Sequence, residues 1–481
     1  MLTFGDYTML IGRDLERRRL LETKKSDKSE FVAVFGRRRI GKTFLVHETF
    51  GNSFSFVHTG LAREGMRKQL AEFRYSLEQF FGVRRKTFGD WSGAFHALQE
   101  SLEGLPSGKK VVFIDEMPWM DTPRSGFVSA LEHFWNGWAC FRKDIILIVC
   151  GSATSWIISK VINDHGGLHN RVTMRMPLRP FTLSQCEEMV KKRGLRLDRR
   201  QILEGYMAMG GVPFYWDRIR KGESMAQSMD RLFVAKDAEF SGEFDRLYAS
   251  LFKNPGIHVG IVTALADRMC GKTRRELLAD LKAEDNGAFS KALLELEECG
   301  FIERSNLPGR IRRDSLYRLV DNYSLFYFKF IRGTASRSSD HWQRMATSQT
   351  GRIWCGLAFE RVCMAHIDQV KKALGISGVM SEVYAWRHKS GSDDDRGAQI
   401  DLIIDRKDGV ANICEVKYSA GKFVISGEYA ENLARKIEAF SQSQHFGKSV
   451  FLTMITPCGV KENEHSGVVQ SEVTLDDLFA R

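Results

Sequence analysis

Residues 31–43 read FVAVFGRRRIGKT, and this stretch decides the fold of the N-terminal part of the chain. The apolar run at its start predicts a buried strand. The pattern G-x-x-x-x-G-K-T follows, and it consists of Gly36, Gly41, Lys42 and Thr43. Glycines let the backbone curl so that N–H groups point at phosphate oxygens, and a helix starting near Lys42 adds its positive end. The stretch therefore predicts a phosphate-binding loop; the alternative is a chance match in a glycine-containing loop.

The predicted loop binds ATP and Mg²⁺ through separate groups. Lys42 supplies a positive charge for the β- and γ-phosphates, and the Thr43 hydroxyl is a ligand for Mg²⁺. The rest of the loop is expected to surround the triphosphate with backbone N–H groups. The predicted nucleotide-binding segment is Gly36, Arg37, Arg38, Arg39, Ile40, Gly41, Lys42, Thr43 and Phe44.

A second apolar run ends in two carboxylates. Residues 110–116 read KVVFIDE, which is typical of a buried parallel strand. Asp115 at the end of this strand is predicted to hold Mg²⁺, and Glu116 is predicted to orient and deprotonate the attacking water. Taken alone, the run is more typical of a strand that enters a solvated loop. Downstream of a phosphate loop, it predicts hydrolysis of ATP.

Two further residues are candidates for contacts with the γ-phosphate. Ser152 follows the apolar stretch DIILIVCG at residues 144–151, so it is expected to lie between the two motifs as a sensor. The alternative is a serine that caps the next helix. Arg171 follows a pair of glycines and is a candidate arginine finger, acting in its own chain or from a neighbouring molecule; a solvated arginine is the alternative.

The composition predicts a multidomain protein in the cytoplasm. The chain has 481 residues, which is too many for one core, so two to four domains are expected. It has no run of about eighteen apolar residues, so no membrane span is expected. Its N-terminal residues are too charged for a secretory signal. The nine cysteines are scattered without a C-x-x-C pair, so neither a zinc ribbon nor a disulfide framework is indicated. The formal charge of +11 suggests an anionic partner such as nucleic acid, or else a basic solvated surface.

The hydrophobic periodicity divides the chain into four segments. Residues 1–180 alternate strands and helices, as a parallel α/β sheet does. Residues 181–250 are predicted to form a helical lid, and residues 342–481 a further α/β unit. Three short helices and two β-like stretches in residues 251–335 describe a winged helix-turn-helix. The predicted contacts with DNA lie at a helix start and in the wing: Arg274, Arg275, Arg310, Arg312 and Arg313. The alternative is that the same arginines bind another protein.

A predicted β-hairpin near the C-terminus brings two carboxylates together. Residues 398–419 read AQIDLIIDRKDGVANICEVKYS, which is two strand-like runs around an Asp-Gly turn. A pairing symmetric about Asp408 puts Asp401 opposite Glu415, with Lys417 on the same face. The other face is predicted to carry Ile400, Leu402, Ile404, Cys414 and Val416.

The chemistry of this face predicts a metal site. Adjacent carboxylates repel each other unless a divalent cation lies between them, and a neighbouring lysine can stabilise charge or activate water. Asp401 and Glu415 are therefore candidate ligands for Mg²⁺ or Mn²⁺, and Lys417 is the candidate catalytic cation. This D…E-x-K arrangement is the active-site pattern of restriction-endonuclease-like nucleases. The alternative is a solvated polar strand face.

These motifs together resemble a family of prokaryotic AAA+/STAND-type ATPases, often called archaeal-type ATPases, with a C-terminal restriction-endonuclease-like (PD-(D/E)XK) domain. The resemblance extends over nearly the whole chain. It includes the segments MLIGRDLERRRL at 9–20, IDEMPWM at 114–120 and YRLVDNYSLFYFKFI at 317–331. It implies a multidomain α/β protein, in which a P-loop NTPase sheet of the AAA+/ASCE type is followed by a helical lid, a winged helix and a nuclease-like α/β domain.

The resemblance also implies roles for individual residues. Gly12 and Arg13 match an entry segment near the adenine, and Pro213 matches a G-x-P element whose proline packs on the base. Glu360, in GLAFE, matches a helical acid that joins the metal site. Because the C-terminal domain of this family is not uniformly an active nuclease, the resemblance implies a site rather than an activity.

The sequence as a whole predicts a Mg²⁺-dependent ATPase that couples nucleotide state to a winged helix and a nuclease-like domain acting on DNA. ATP and DNA are the predicted partners, and a homo-oligomer is a further candidate assembly. One alternative is a switch ATPase whose C-terminal domain binds partners without cleaving. A second is a DNA-binding regulator that uses ATP only to change shape.

Overall fold

The computed structural model describes residues 10–152, 154–162, 167–168, 170–252, 254–267, 271–305, 315–333, 338–388, 398–443 and 447–481. The chain divides into two compact units. The first unit holds the chain up to residue 180 with residues 245–261 and 283–302, and the second holds residues 181–244, 262–282 and 303–481. No helix within these described ranges is both long and apolar enough to cross a membrane.

The first unit is built on a five-stranded parallel sheet with helices. Its elements up to residue 180 are α1 (Asp14–Glu22), β1 (Glu30–Phe35), α2 (Lys42–Phe50), β2 (Phe54–Thr59), α3 (Met66–Phe81), α4 (Trp91–Glu103), β3 (Lys110–Asp115), α5 (Phe127–Gly137), β4 (Ile145–Gly151), α6 (Thr154–Ile157) and β5 (Met174–Pro177). The strand order is β2-β3-β4-β1-β5, and all neighbouring pairs run parallel. A parallel sheet with this loop after β1 fits a P-loop NTPase fold.

Burial of both sheet faces explains why β1 reads as a continuous apolar run. Phe31 and Ala33 pack into one core cluster, which includes side chains of α3, α4 and α5. Val32 and Val34 pack into a second cluster with side chains of α1 and α2. Strand β4 pairs with both β1 and β3, so the three strands end at one edge of the sheet. Ser152 directly follows β4, so it lies next to the ends of β1 and β3.

The middle of the chain is mainly helical. Its elements are α7 (Leu183–Lys192), α8 (Arg199–Met209), α9 (Pro213–Trp216), α10 (Met225–Met229), α11 (Glu243–Leu251), α12 (Pro255–Ala266), β6 (Lys272–Thr273), α13 (Arg274–Leu281), α14 (Gly287–Glu298), β7 (Ile302–Ser305), β8 (Leu316–Leu319) and α15 (Asn322–Phe326). The three strands form a sheet in the order β6-β8-β7. The helices lie where the winged-helix prediction put them, but the predicted wing arginines Arg310, Arg312 and Arg313 lie outside the described residues.

The C-terminal part of the second unit contains a mixed five-stranded sheet. Its elements are α16 (His341–Ala346), α17 (Gln349–Ala365), α18 (Ile367–Ala373), β9 (Ser381–His388), β10 (Ala398–Arg406), β11 (Val410–Val416), α19 (Gly427–Ser443), β12 (Ser449–Ile455), β13 (Ser471–Val473) and α20 (Leu475–Leu478). The strand order is β13-β12-β11-β10-β9. Strands β9, β10 and β11 pair antiparallel, and β11, β12 and β13 pair parallel.

The hairpin of β10 and β11 has the predicted register but not the predicted regularity. Leu402 pairs with Cys414, which confirms the symmetry about Asp408. A bulge in the pairing with β9 lies between Ile400 and Ile403. Both of these isoleucines belong to one core cluster, so the prediction that Ile400 shares a face with Leu402 is wrong. An inserted residue reverses the alternation of side chains locally, and a sequence pattern does not reveal it.

Candidate functional site

The loop after β1 has the backbone conformation that the motif predicts. Gly36 has φ +141°, and a Cβ atom there would lie 2.4 Å from the carbonyl oxygen of Leu178. Gly41 has φ +85° and directly precedes α2, and Arg39 also has a positive φ of 70°. Positive φ angles are accessible to glycine without a steric penalty. The two glycines therefore allow the turn that delivers the chain from β1 to the start of α2.

Lys42 is folded back into this loop. Its ammonium donates hydrogen bonds to the carbonyl oxygens of Gly36, at 2.9 Å, and Arg37, at 3.0 Å. The side chain is only 6% exposed. Neutral backbone groups therefore position the ammonium. Because these contacts do not neutralise its charge, the ammonium can attract an anion.

The two predicted Mg²⁺ ligands of this site touch each other. The Thr43 hydroxyl donates a 2.6 Å hydrogen bond to Asp115 Oδ2. Asp115 Oδ1 accepts the backbone N–H of Glu116 at 2.8 Å. A hydroxyl beside a carboxylate at the end of a phosphate loop suits the oxygen-only preference of Mg²⁺, so these residues fit this metal.

Ser152 contacts the predicted catalytic base. Its hydroxyl donates to Glu116 Oε2 at 3.0 Å, and its backbone N–H lies 3.3 Å from the same oxygen. Glu116 itself has φ +46°, an uncommon conformation for a residue with a side chain. Ser152 therefore orients the Glu116 carboxylate, a contact that differs from both the predicted sensor and the helix cap.

Arg13 contacts the backbone of the phosphate loop. Its guanidinium donates to the carbonyl oxygens of Ile40, at 3.3 Å, and Arg179, at 2.6 Å, and it forms an ion pair with Glu16. Burial lowers the pKa of Arg13 against the opposing effect of Glu16. The neighbouring Gly12 has φ +59°. These contacts give Arg13 a structural role toward the loop, and its predicted place near the adenine stays a prediction.

Arg37 forms a contact that the sequence did not reveal. Its guanidinium lies over the ring of Phe301, with 5.0 Å between the guanidinium carbon and the ring centroid. Arg37 is 8% exposed, whereas Arg38 and Arg39 are half-buried. A residue of the phosphate loop therefore packs on the segment just before β7. The two residues are far apart in sequence, so only the tertiary structure shows this contact.

Arg171 lies near the end of the sheet where β1 begins, whereas the phosphate loop follows the end of β1. Thr173 donates its backbone N–H to Phe31 at the start of β1, so the preceding Arg171 is near the strand beginnings. The chain from Phe31 to Gly36 extends about 16 Å at about 3.3 Å per residue. This placement contradicts a contact between the exposed Arg171 and the nucleotide of its own chain. A contact with a neighbouring molecule stays a prediction.

Pro213 begins α9 and is half-buried. The element before it is closely packed, because a Cβ atom at Gly211 would lie 1.8 Å from the carbonyl oxygen of Phe181. The same two residues form a 2.6 Å backbone hydrogen bond. The glycine of this element is thus required for close backbone approach. The contact between Pro213 and a nucleotide base stays a prediction.

Glu415 is the centre of the C-terminal site. It is 1% exposed, and it accepts a hydrogen bond from the Tyr429 hydroxyl at 2.8 Å. The Lys417 ammonium lies 2.8 Å from its Oε1, and the Lys436 ammonium lies 2.8 Å from Oε2 and 3.0 Å from Oε1. Burial opposes ionisation of Glu415, but the two lysines outweigh burial and lower its pKa.

Two further carboxylates belong to the same electrostatic group. Burial raises the pKa of Glu360, on α17, to about 7, and Asp401 adds to the shift. Burial and the charge of Glu415 raise the pKa of Asp401, whose carboxylate accepts a backbone hydrogen bond from Val416. The residues predicted for this site are therefore close enough to affect one another. Among the described residues, however, no group of three or more His, Cys, Asp or Glu side chains is arranged to hold a metal ion.

Sequence reasoning missed Tyr429 and Lys436, both on α19. Leu433 and Phe440 of this helix are buried in the cluster that covers the sheet. Lys436 lies three residues after Leu433 and four before Phe440, so it belongs to the same stripe of the helix. A lysine within an apolar stripe is a signal that could have identified it. Its partner Glu415 was not recognisable from sequence, because a helix and a strand are joined there only by the tertiary fold.

Side chains of α8 contact the segment that follows β11 and begins with Lys417. The Tyr418 hydroxyl donates to Glu204 at 3.2 Å, and Arg200 lies over the Tyr418 ring with 5.2 Å to its centroid. Arg200 also donates to the carbonyl oxygen of Ala420 at 3.1 Å. The residue next to the predicted catalytic lysine is thus fixed by the helical segment that the sequence assigns to the lid.

Comparison with other proteins gives weak similarities. No protein-family model matches the sequence. The chain is 23% identical over 416 residues to an uncharacterized protein of Methanocaldococcus jannaschii, covering 85% of this chain and 88% of that protein. It is similar to the Walker-type ATPase of Pyrococcus abyssi at 16% identity, 66% coverage of this chain, 96% of that chain and a TM-score of 0.46. It is also similar to the ORC2 protein of Aeropyrum pernix at 13% identity, 72% coverage of this chain, 98% of that chain and a TM-score of 0.40.

Proposed function

We propose that this chain is a Mg²⁺-dependent ATPase that couples its nucleotide state to a nuclease-like site acting on DNA. One observation carries the ATPase part of the proposal. The Thr43 hydroxyl and the Asp115 carboxylate meet at 2.6 Å, next to Glu116, at the edge where the strands of the parallel sheet end. A phosphate loop, a hydroxyl–carboxylate pair and a further carboxylate are the groups that NTP hydrolysis requires.

Each of these groups has a role in the proposed hydrolysis. Thr43 and Asp115 would hold Mg²⁺, which when bound neutralises charge on the β- and γ-phosphates. Lys42 binds the phosphates through its oriented ammonium. Glu116 accepts a proton from the attacking water, and Ser152 orients its carboxylate for this step.

The ATPase proposal is tested with the wild type and two variants. Lys42→Ala is expected to weaken ATP binding and abolish hydrolysis, because it removes the phosphate contact. Glu116→Gln is expected to bind ATP normally and to lose turnover. ATP binding is measured by calorimetry and hydrolysis by phosphate release. Hydrolysis by Glu116→Gln at the wild-type rate would reject Glu116 as the base.

The DNA part of the proposal has a different basis. The chain has a formal charge of +11, and Arg274 and Arg275 lie at the start of α13. At the C-terminal site, Asp401, Glu415 and Lys417 provide the carboxylates and the cation of a metal-dependent phosphodiesterase. Cleavage of plasmid DNA in Mg²⁺ and Mn²⁺, with and without ATP, tests this activity.

Contacts within the second unit support coupling between its parts. Glu204 of α8 accepts a hydrogen bond from the Tyr418 hydroxyl, and Gly210–Pro213 directly follow the C-terminal end of the same helix. The backbone N–H of Leu183, at the start of α7, donates to His366 Nε2 at 3.0 Å, just after the helix that carries Glu360. A displacement of the helical segment is therefore expected to reach the C-terminal site.

A switch ATPase without nuclease activity is the second candidate function. It is favoured by the occupation of both Glu415 oxygens, which are contacted by Lys417, Lys436 and Tyr429. A carboxylate held in this way is a satisfied structural group. ATP hydrolysis without metal binding or DNA cleavage at the C-terminal site would establish this candidate instead.

A further inference from the structure

Lys436 contacts Glu415 in the way that a bound divalent cation would. Its ammonium lies 2.8 Å from Oε2 and 3.0 Å from Oε1, so it bridges the two carboxylate oxygens. The Lys417 ammonium lies 2.8 Å from Oε1. A bidentate position on a carboxylate is one that divalent cations also take. Lys436 therefore donates hydrogen bonds to both oxygens of this carboxylate.

The site also contains more positive charge than its central carboxylate requires. One ammonium is sufficient to neutralise Glu415, yet two are present, and the Tyr429 hydroxyl donates as well. The Lys436 side chain is 17% exposed and Lys417 is 33% exposed. A second cation in a largely buried place is explained if it compensates Glu415 together with the nearby carboxylate of Asp401.

We propose that Lys436 is a built-in counter-cation that occupies the metal position at Glu415, so that a divalent cation binds only by displacing it. This inference rests on the proposed metal site of Asp401 and Glu415. Metal affinity is then set by competition between a tethered ammonium and the free ion. Residues of α19 thereby control whether the C-terminal site is loaded.

A purely structural ion pair makes the opposite prediction. If Lys436 only stabilises the packing of α19 on the sheet, its removal loosens the site and weakens metal binding. If it competes with the metal, its removal opens the position and tightens binding. The sign of the change in metal affinity therefore separates the two.

The test uses the full chain without nucleotide and Mn²⁺ as the probe. Lys436→Met removes the charge and keeps the length of the side chain, and it is expected to tighten Mn²⁺ binding by about tenfold or more, since one opposing charge is lost in a partly buried place. Lys436→Arg keeps the charge and is expected to bind Mn²⁺ like the wild type. Binding is followed by electron paramagnetic resonance, and thermal unfolding is recorded in parallel.

Two controls separate the proposal from the function on which it rests. Lys448→Met removes another lysine–carboxylate pair of the same domain, that of Lys448 with Asp405, and is expected to leave Mn²⁺ binding unchanged. Asp401→Ala is expected to abolish the site. If Asp401→Ala abolishes binding but Lys436→Met does not tighten it, the competition is rejected and the metal site stands. If Asp401→Ala leaves binding unchanged, the metal site itself is rejected, and the competition with it.

A measurement on the wild type keeps the test valid if Lys436→Met does not fold. Lysine acetylation rates are read by mass spectrometry with and without Mn²⁺. Displacement of Lys436 by the metal is expected to raise its acetylation rate, while the rate at Lys448 stays constant. A rate at Lys436 that Mn²⁺ does not raise overturns the proposal.

Discussion

The phosphate loop and the C-terminal site hold their cationic groups in different ways. Lys42 is held by two neutral carbonyl oxygens of its own loop. Lys417 and Lys436 are held by the charged carboxylate of Glu415. The first lysine can attract an anion without giving up an ion pair, whereas a ligand at the second site must replace one. A site made by the backbone is prepared for its ligand, and a site made by paired charges has to exchange partners.

The largest expected effect belongs to Glu116, the proposed catalytic base of the first site. Glu116→Gln removes the proton acceptor and is expected to slow ATP hydrolysis by about a hundredfold or more. Lys417→Ala is the matched change at the other site and is expected to leave this rate within about twofold, because the two residues lie in separate units. Both rates are measured by phosphate release at saturating ATP. Equal losses in the two variants would show that the sites are not chemically separate.

The second effect is a loss of folding stability, which is expected to be larger at the C-terminal site than at the phosphate loop. Glu415→Gln leaves the partly buried ammonium groups of Lys417 and Lys436 without their carboxylate. It is therefore expected to lower the free energy of unfolding by about 3 kcal/mol. Asp115→Asn keeps a partner for the Thr43 hydroxyl and is expected to cost less than about 1.5 kcal/mol. Urea denaturation followed by circular dichroism measures both. A smaller loss for Glu415→Gln than for Asp115→Asn would contradict the comparison.

A pH effect is expected from the first unit. Burial lowers the pKa of His58 to about 4, whereas an unfolded histidine titrates near 6.5. Between these values the unfolded chain binds a proton that the folded chain does not, so stability falls as the pH decreases. The expected slope for this residue is at most about 1.4 kcal/mol per pH unit.

His58→Gln tests this assignment. The variant removes the titrating group and is expected to reduce the loss of stability between pH 6.5 and 4, compared with the wild type. Chemical denaturation at several pH values measures the slope. His366, whose pKa burial also lowers, provides the equivalent group in the second unit. An unchanged slope in His58→Gln would assign the effect to other residues.

The smallest expected effect tests the link between α8 and the C-terminal site. Arg200→Ala removes the contact with Tyr418 and Ala420, and it is expected to raise amide hydrogen exchange in residues 417–420 by about fivefold. Arg196→Ala, an exposed arginine in the preceding loop, is the control. Equal exchange in the two variants would show that Arg200 does not hold this segment.

The predictable parts of the two sites differ for a physical reason. The backbone turn of the phosphate loop was predicted because its residues are contiguous and its glycines are required by backbone geometry. The hairpin register was predicted because a short turn determines which residues face each other. The bulge near Ile400 was not, since it appears only in the pairing of β10 with β9 and no local sequence pattern indicates it. The sequence left open whether Arg171 acts within its own chain, acts on a neighbouring molecule or is solvated, because its position depends on the direction in which β5 joins the sheet.

The sequence by itself determined the glycine-containing loop after β1, the two carboxylates at the end of β3, and the turn that pairs Asp401 with the region of Glu415. These features depend on residues that are close along the chain. Only the tertiary structure decided which groups share a site across elements: Ser152 with Glu116, Arg37 with Phe301, and Lys436 with Glu415. Such contacts depend on how helices and strands pack, and packing depends on the whole core rather than on any local pattern.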